Sequence, residues 1–285
     1  MQVSITARPD ASAALDRLGA VLSGIDRRVV ACSGGIDSLV LSTVAHRADS
    51  AATTVAHTVT PAVPGDGTAR VVAYAEREGW DLRLVRSGEF DDESYLENPV
   101  DRCYHCKRNL YDAVDELARS SSVTAAVVLS GANLDDLGEY RPGLVAAAEH
   151  SVRHPYIEAQ LTKSDVRAVA RHLGLPDAEL PASPCLASRL YTGTRVTPSR
   201  LRAIEAGELL VRDRTGIGVV RCRVNETTVL IEVADEDRPY LTDEVLADVT
   251  RVMVEVEPSI ATVDLDDRAY EPGRAFVGAA GSPAS

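Results

Sequence analysis

A short β-branched run, Arg27 to Cys32 (RRVVAC), leads directly into Ser33 to Ser38 (SGGIDS), and an apolar stretch, LVLSTVAHRA, follows at once. Such a run reads as a buried strand. Gly34 and Gly35 allow a tight turn and let the backbone come close to an anion. The next helix presents unpaired N–H groups at its start, which favour negative charge there. The unit is strand, glycine turn, helix, and it commits this part of the chain to a parallel α/β layer. Ser33 and Ser38 add hydroxyls, and Asp37 is placed to orient the loop or help hold Mg²⁺. The spacing is neither that of a Walker A loop, because no GK[ST] follows, nor GxGxxG.

The same alternation continues. Helical periodicity covers 10–23, with Leu15, Leu18, Val21 and Leu22 on one side, and further helices are expected over 69–78, 107–118 and 162–173. The last is preceded by Thr162 with Asp165 three residues on, close to a capping box. Strands are expected over 51–60, 81–87 and 124–129, and the acidic stretch 88–99 reads as irregular. After about residue 195 the pattern changes to a helix over 199–213, alternating strands at 218–224 and 228–233, a helix over 241–252 and a strand at 259–265. The expected organisation is a larger α/β domain over 1–190, a small α+β domain over 191–270 and a flexible tail over 271–285.

A second loop, Ser130 to Asp136 (SGANLDD), follows a predicted strand, which puts it at the ligand edge of a parallel sheet. Asn133 is a candidate ligand contact, and Asp135 or Asp136 could bind Mg²⁺ or position the loop. The net charge of −13, with lysine only at Lys107 and Lys163, counts against a phosphate backbone as the main substrate, although such acidity also suits a high-salt cytoplasm. No stretch of 18 apolar residues and no leader-like start are seen, so a cytoplasmic protein with no membrane partner is expected.

Five cysteines, Cys32, Cys103, Cys106, Cys185 and Cys222, do not suggest a disulfide scaffold. Cys32 and Cys222 sit on predicted strands and read as structural. Cys103 and Cys106, in RCYHCK, could form a redox dithiol or half a zinc site, or, with Cys185, three thiolates of a zinc site whose fourth ligand is His105 or His154, or of an iron–sulfur site. Arg221 and Arg223 alternate on one strand and so share a face, which suits a substrate with several anionic groups.

SGGIDS resembles the PP-loop of the ATP pyrophosphatase superfamily, whose members cleave ATP between the α and β phosphates and leave an adenylate. RCYHCK (102–107), GANLDDLGEYRPGL (131–144), EAQLTKSDVRAVARHLGLP (158–176) and PCLASR (184–189) extend the likeness in order. Together they resemble the LarE family, the ATP-dependent sulfur transferases of nickel-pincer cofactor synthesis. The resemblance implies a PP-loop parallel sheet (adenine nucleotide alpha hydrolase-like) with a smaller C-terminal α+β domain. It implies adenylylation of a carboxylate of pyridinium-3,5-biscarboxylic acid mononucleotide, then sulfur insertion, with AMP and pyrophosphate released.

For single residues the resemblance implies ATP contacts from Ser33, Gly34, Gly35, Asp37, Ser38, Asn133 and Asp136. It implies chemistry at Cys185, Asp37, Arg189 and Glu205, and acceptor binding at Arg221 and Arg223. Cys103, Cys106 and Cys185 match the three-cysteine branch, so the expected cofactors are ATP, Mg²⁺ and a [4Fe–4S] cluster with one iron not ligated by protein. The expected partners are a small anionic mononucleotide, sulfide or another sulfur donor, and further copies of the chain. A PP-loop tRNA thiolation enzyme and an ammonia-dependent amidating ligase are the alternatives.

Overall fold

The computed structural model describes residues 10–120, 126–138 and 141–276. The chain separates into two compact units: one of residues 1–59, 65–87 and 107–183, the other of residues 60–64, 88–106 and 184–285. The first is an α/β layer and the second a smaller α+β domain.

The first unit is built on four parallel strands, β1 (Arg28–Ala31), β2 (Thr53–Thr58), β3 (Asp81–Val85) and β4 (Val127–Leu129), in the order β3-β2-β1-β4. Arg153 pairs in parallel with Leu129 and extends the sheet past β4. Helices Ala11–Ser23, Ile36–Ala48, Gly65–Glu78 and Lys163–His172 belong to this unit. Ile36–Ala48 is apolar nearly all round, with nine buried residues, as expected for a helix enclosed by its neighbours. Its Leu39, Leu41 and Val44 join Val30, Val55, Leu18, Leu22 and Val169 in one core. Lys163–His172 starts with the full capping box that Thr162 and Asp165 foreshadow.

The second unit has a three-stranded sheet of β5 (Arg221–Asn225), β6 (Thr228–Glu232) and β7 (Thr262–Leu265). β5 and β6 are antiparallel, and β7 pairs with β6 in parallel. Helices Pro198–Thr215 and Asp243–Val256 supply Leu201, Ile204, Val211, Val249 and Met253 to its core. Gly207 lies so close to Met253 that an added Cβ would come 2.7 Å from the Met253 sulfur.

Three features depart from the sequence expectation. The helix expected from Lys107 begins at Arg102 and runs to Ser120, so Cys103 and Cys106 stand three residues apart on a helix. Its start follows Asn98, which takes a left-handed φ of 53°, and Pro99, whose carbonyl accepts from the Arg102 N–H. The stretch 88–99 carries a short 3-10 turn (Glu89–Asp91) and a one-turn helix (Glu93–Leu96) capped by Asp92. A further helix, Pro142–Glu149, opens with proline in its first turn and is rich in alanine. In the stretch expected to fray, Arg274 donates to Glu232 and the Ala275 carbonyl accepts from Thr192, while residues from 277 on lie outside the described ones. No helix among the described residues is long and apolar enough to cross a membrane.

Candidate functional site

Strand order reverses between β1 and β4, and the loops after these two strands carry the predicted ligand contacts. Such a switch point is where parallel α/β sheets bind ligands. Gly34 takes φ 82°, and a Cβ there would come 2.6 Å from the Gly67 carbonyl oxygen, so both the backbone angle and the space demand glycine. Gly35 caps Ile36–Ala48 with no side-chain hydrogen bond, leaving the helix start uncapped by any side chain. Ser38, almost buried, accepts from the Ser33 N–H at 3.1 Å and donates to the Gly35 carbonyl at 2.9 Å, which sets the turn. His57 steadies the strand end, with its ring nitrogens 2.8 Å from the Cys32 carbonyl and 2.9 Å from the Thr68 hydroxyl. Burial holds its pKa below the usual histidine value.

The loop after β4 closes on the same turn. A Cβ on Gly131 would lie 3.1 Å from the Asp37 carbonyl carbon and from the Ser38 nitrogen. Asn133 is buried, accepts from the Asp135 N–H at 3.1 Å, and gives its own N–H to Asp136 at 2.9 Å. Arg141 pairs with Asp136 at 2.9 Å and so pins this loop. Lys163 was not singled out as a site residue. It stands in the first turn of its helix; its ammonium pairs with Asp37 Oδ2, and its N–H donates to Asp135 Oδ2 at 2.7 Å. Asp37 Oδ1 is buried without a hydrogen-bond partner. In the sequence, Lys163 falls within the EAQLTKSDVRAVARHLGLP stretch (158–176), and the rarity of lysine in this chain is its residue-level signal.

In the second unit, Arg189 is buried and makes a bidentate pair with Glu208, both bonds at 2.9 Å. Its Nη1 also donates to the carbonyls of Pro184 and Cys185. Glu208 went unnoticed in the sequence; Glu205 lies three residues earlier on the same helix and is partly buried. Arg223 pairs with Glu232 at 2.8 Å and donates to the Ser188 carbonyl, and Glu232 also accepts from Arg274 at 2.8 Å. Arg221 donates to the Val220 carbonyl and lies over the Tyr270 ring. Burial, then Arg189, lower its pKa.

Cys103, Cys106 and Cys185 all belong to this unit. Cys106 and Cys185 pack on the apolar cluster that contains Tyr95, Leu186 and Ala187. Arg102, 2% exposed, gives Nη1 to Asn98 Oδ1 at 2.5 Å and to the Ala187 carbonyl at 2.9 Å. Burial works against its charge, and the nearby sulfurs of Cys185, Cys103 and Cys106, together with Tyr95, more than offset this and raise its pKa.

The expectation of a [4Fe–4S] cluster is corrected here. Among the described residues, no three His, Cys, Asp or Glu side chains are grouped to hold a metal ion. The buried Arg102 guanidinium lies near these sulfurs, and a cation there disfavours a second one. The Mg²⁺ expectation falls with it, because Asp37 is paired with Lys163 and Asp136 with Arg141 and the Asn133 N–H. No disulfide joins the five cysteines, and Cys32 and Cys222 are buried in the cores, as expected.

No family model matches the chain. An uncharacterized protein of Synechocystis sp. is 32% identical over 261 residues, which cover 91% of this chain and 96% of the relative. Pyridinium-3,5-bisthiocarboxylic acid mononucleotide synthase of Lactiplantibacillus plantarum is 30% identical over 221 residues, 76% of this chain and 78% of the relative. An uncharacterized protein of Methanocaldococcus jannaschii is 26% identical over 208 residues, 73% and 78% of the two chains. A parallel sheet with an SGGIDS turn at its switch point accompanies these identities, and the chain belongs to the PP-loop family of the pyridinium-3,5-bisthiocarboxylic acid mononucleotide synthase.

Proposed function

We propose that this chain is an ATP-dependent sulfur transferase that adenylylates a carboxylate of pyridinium-3,5-biscarboxylic acid mononucleotide and replaces the activated oxygen by sulfur. The observation that carries the reading is the SGGIDS turn, with left-handed Gly34, an uncapped helix start and the Lys163 ammonium beside Asp37. Backbone N–H groups at a helix start, together with an ammonium, suit a polyphosphate. ATP is held there by Ser33, Gly34, Gly35, Ser38 and Lys163, with Asn133 and Asp136 shaping the neighbouring loop. The substrate carboxylate attacks the α-phosphorus, the bond to the β-phosphate oxygen breaks, and pyrophosphate leaves. A sulfur nucleophile delivered by Cys185 then attacks the acyl carbon, and AMP leaves with the bonding pair.

Arg221 and Arg223 bind the anionic groups of the acceptor, and Arg189 orients the Cys185 backbone. Support for the sulfur step comes from the named relative and from Cys185, a partly exposed thiol beside Arg189 and Arg102. The test uses radiolabelled ATP with the mononucleotide dicarboxylate and follows products chromatographically. AMP, pyrophosphate and a thiocarboxylate are expected in equal amounts at first turnover. ADP and phosphate as the nucleotide products would overturn the activation chemistry, and an amide product with ammonia would favour the ligase.

A further inference from the structure

Among the described residues, two polar atoms beside the cysteines have no hydrogen-bond partner. Tyr95 is 1% exposed and its hydroxyl makes no hydrogen bond; Arg102 is 2% exposed and its Nη2 makes none. Buried polar atoms are nearly always satisfied, so an orphaned pair in one place calls for a ligand. The pair is built, not incidental. Asn98, held by its own amide bonds to the Tyr191 and Thr194 carbonyls, fixes Arg102 Nη1, and the Ala187 carbonyl fixes it again. Phe276 lies 5.3 Å from the guanidinium carbon. Arg102 and Cys106 are four residues apart on one helix and so share a face, and Tyr95 belongs to the core cluster of this unit, against which Cys106 and Cys185 pack.

We propose that Arg102 Nη2 and Tyr95 Oη bind the terminal sulfur anion of a persulfide carried on Cys185. The inference rests on the reading that Cys185 delivers the sulfur, and it names the form in which the sulfur is held. A persulfide anion is large, polarisable and weakly hydrated, so it suits two donors set in an apolar wall better than a small hydrated oxyanion does. A buried guanidinium and a hydroxyl donor favour an anion there. Loading is balanced as a sulfur exchange. The Cys185 thiolate attacks a terminal sulfur of inorganic tetrasulfide, a new S–S bond forms, the adjoining S–S bond breaks, and trisulfide leaves with the bonding pair. Loading needs no further oxidant or reductant. In the transfer, the terminal sulfur attacks the acyl carbon as AMP leaves. A small-molecule dithiol then attacks the Cys185 sulfur of the acyl disulfide, and the thiocarboxylate leaves with the bonding pair. The second thiol of the reagent closes its disulfide and frees Cys185, supplying the two electrons.

The full-length protein is treated with inorganic tetrasulfide without ATP or acceptor and then freed of excess reagent. Sulfane sulfur is followed by cyanolysis over time, and the adduct is located by peptide mass after alkylation. The native chain is expected to carry one sulfane sulfur on Cys185. Tyr95→Phe should shorten its lifetime about tenfold and Arg102→Gln up to about a hundredfold, as loss of one charge-assisted hydrogen bond implies. Tyr95→Phe removes only an unpartnered hydroxyl, so its melting temperature should hold or rise, which keeps the test valid if Arg102→Gln folds poorly. Equal lifetimes in the native chain and Tyr95→Phe overturn the proposal. So does failure of Cys185 to load, or, when ATP and acceptor are then added to the loaded protein, its conversion to dehydroalanine. Loss of AMP formation with persulfide lifetimes behaving as expected would instead sink the activation reading alone.

Discussion

Lys163 separates a structural from a functional role cleanly, and Lys163→Met is the perturbation to make. The Lys163–Asp37 pair has side chains 37% and 26% exposed, within the regime where ion pairs are worth roughly 0–1 kcal/mol. Methionine keeps most of the volume, so the unfolding free energy should fall by no more than about 1 kcal/mol. If the ammonium binds the polyphosphate of ATP, the loss of one charge-assisted contact costs about 1.5–3 kcal/mol, roughly ten- to over a hundredfold in affinity. Urea midpoints measure the first quantity, and KM for ATP in a pyrophosphate-release assay measures the second. Arginine at this position keeps the charge but not the compact ammonium geometry and should restore binding only in part. An unchanged KM in a variant with a clearly lowered urea midpoint would refute the reasoning, because Lys163 would then serve only to brace the loop.

Glu208→Ala leaves the Arg189 guanidinium buried and unpaired, and should lower the unfolding free energy by about 3–5 kcal/mol in urea titration. Gly131→Ala pushes a methyl group against backbone at Asp37 and Ser38 and should cut kcat for AMP formation by about tenfold or more while the far-UV circular dichroism of the chain keeps its helix signal. The pKa of His57 is depressed in the folded chain, so the unfolded chain binds the extra proton first. Its contribution to stability is therefore complete above the unfolded value of 6.5 and is lost as pH falls below it. Urea midpoints at stepped pH should show this decline, and His57→Gln should flatten it.

The SGGIDS turn was legible because its constraints are local. Gly34 needs a left-handed φ, a strand must precede it and a helix must follow, and all of these are written within about a dozen residues. That a parallel layer is accompanied by an α+β fold was legible for the same reason, as hydrophobic period changes with element type, but that residues 60–64 and 88–106 cluster with the α+β unit was not. The start of the helix at Arg102 was not, because the left-handed turn at Asn98 that precedes it is stabilised by carbonyls nearly a hundred residues away. Glu208 and Lys163 were missed for the same reason: their partners, Arg189 and Asp37, are distant in sequence, and nothing nearby distinguishes them from surface charges.

The cysteines show how spacing misleads. Two thiols in C-x-x-C and a third far along the chain give the number of sulfurs a cluster needs, but number carries no information about what stands among them. The arginine that precedes Cys103 is itself part of the RCYHCK motif, and a sequence reading assigns such a residue to solvent by default. Once buried, with Nη1 held by Asn98 and Ala187, it places a positive charge near the sulfurs, and among the described residues no three His, Cys, Asp or Glu side chains are grouped to hold a metal ion. The overall charge of −13 describes the surface and could not anticipate this, because the arginines that matter to the sulfur lie beneath it. A group whose default place is solvent, found buried with one nitrogen unsatisfied, is accounted for when an anion completes it, and the anion that Cys185 can present there is sulfur.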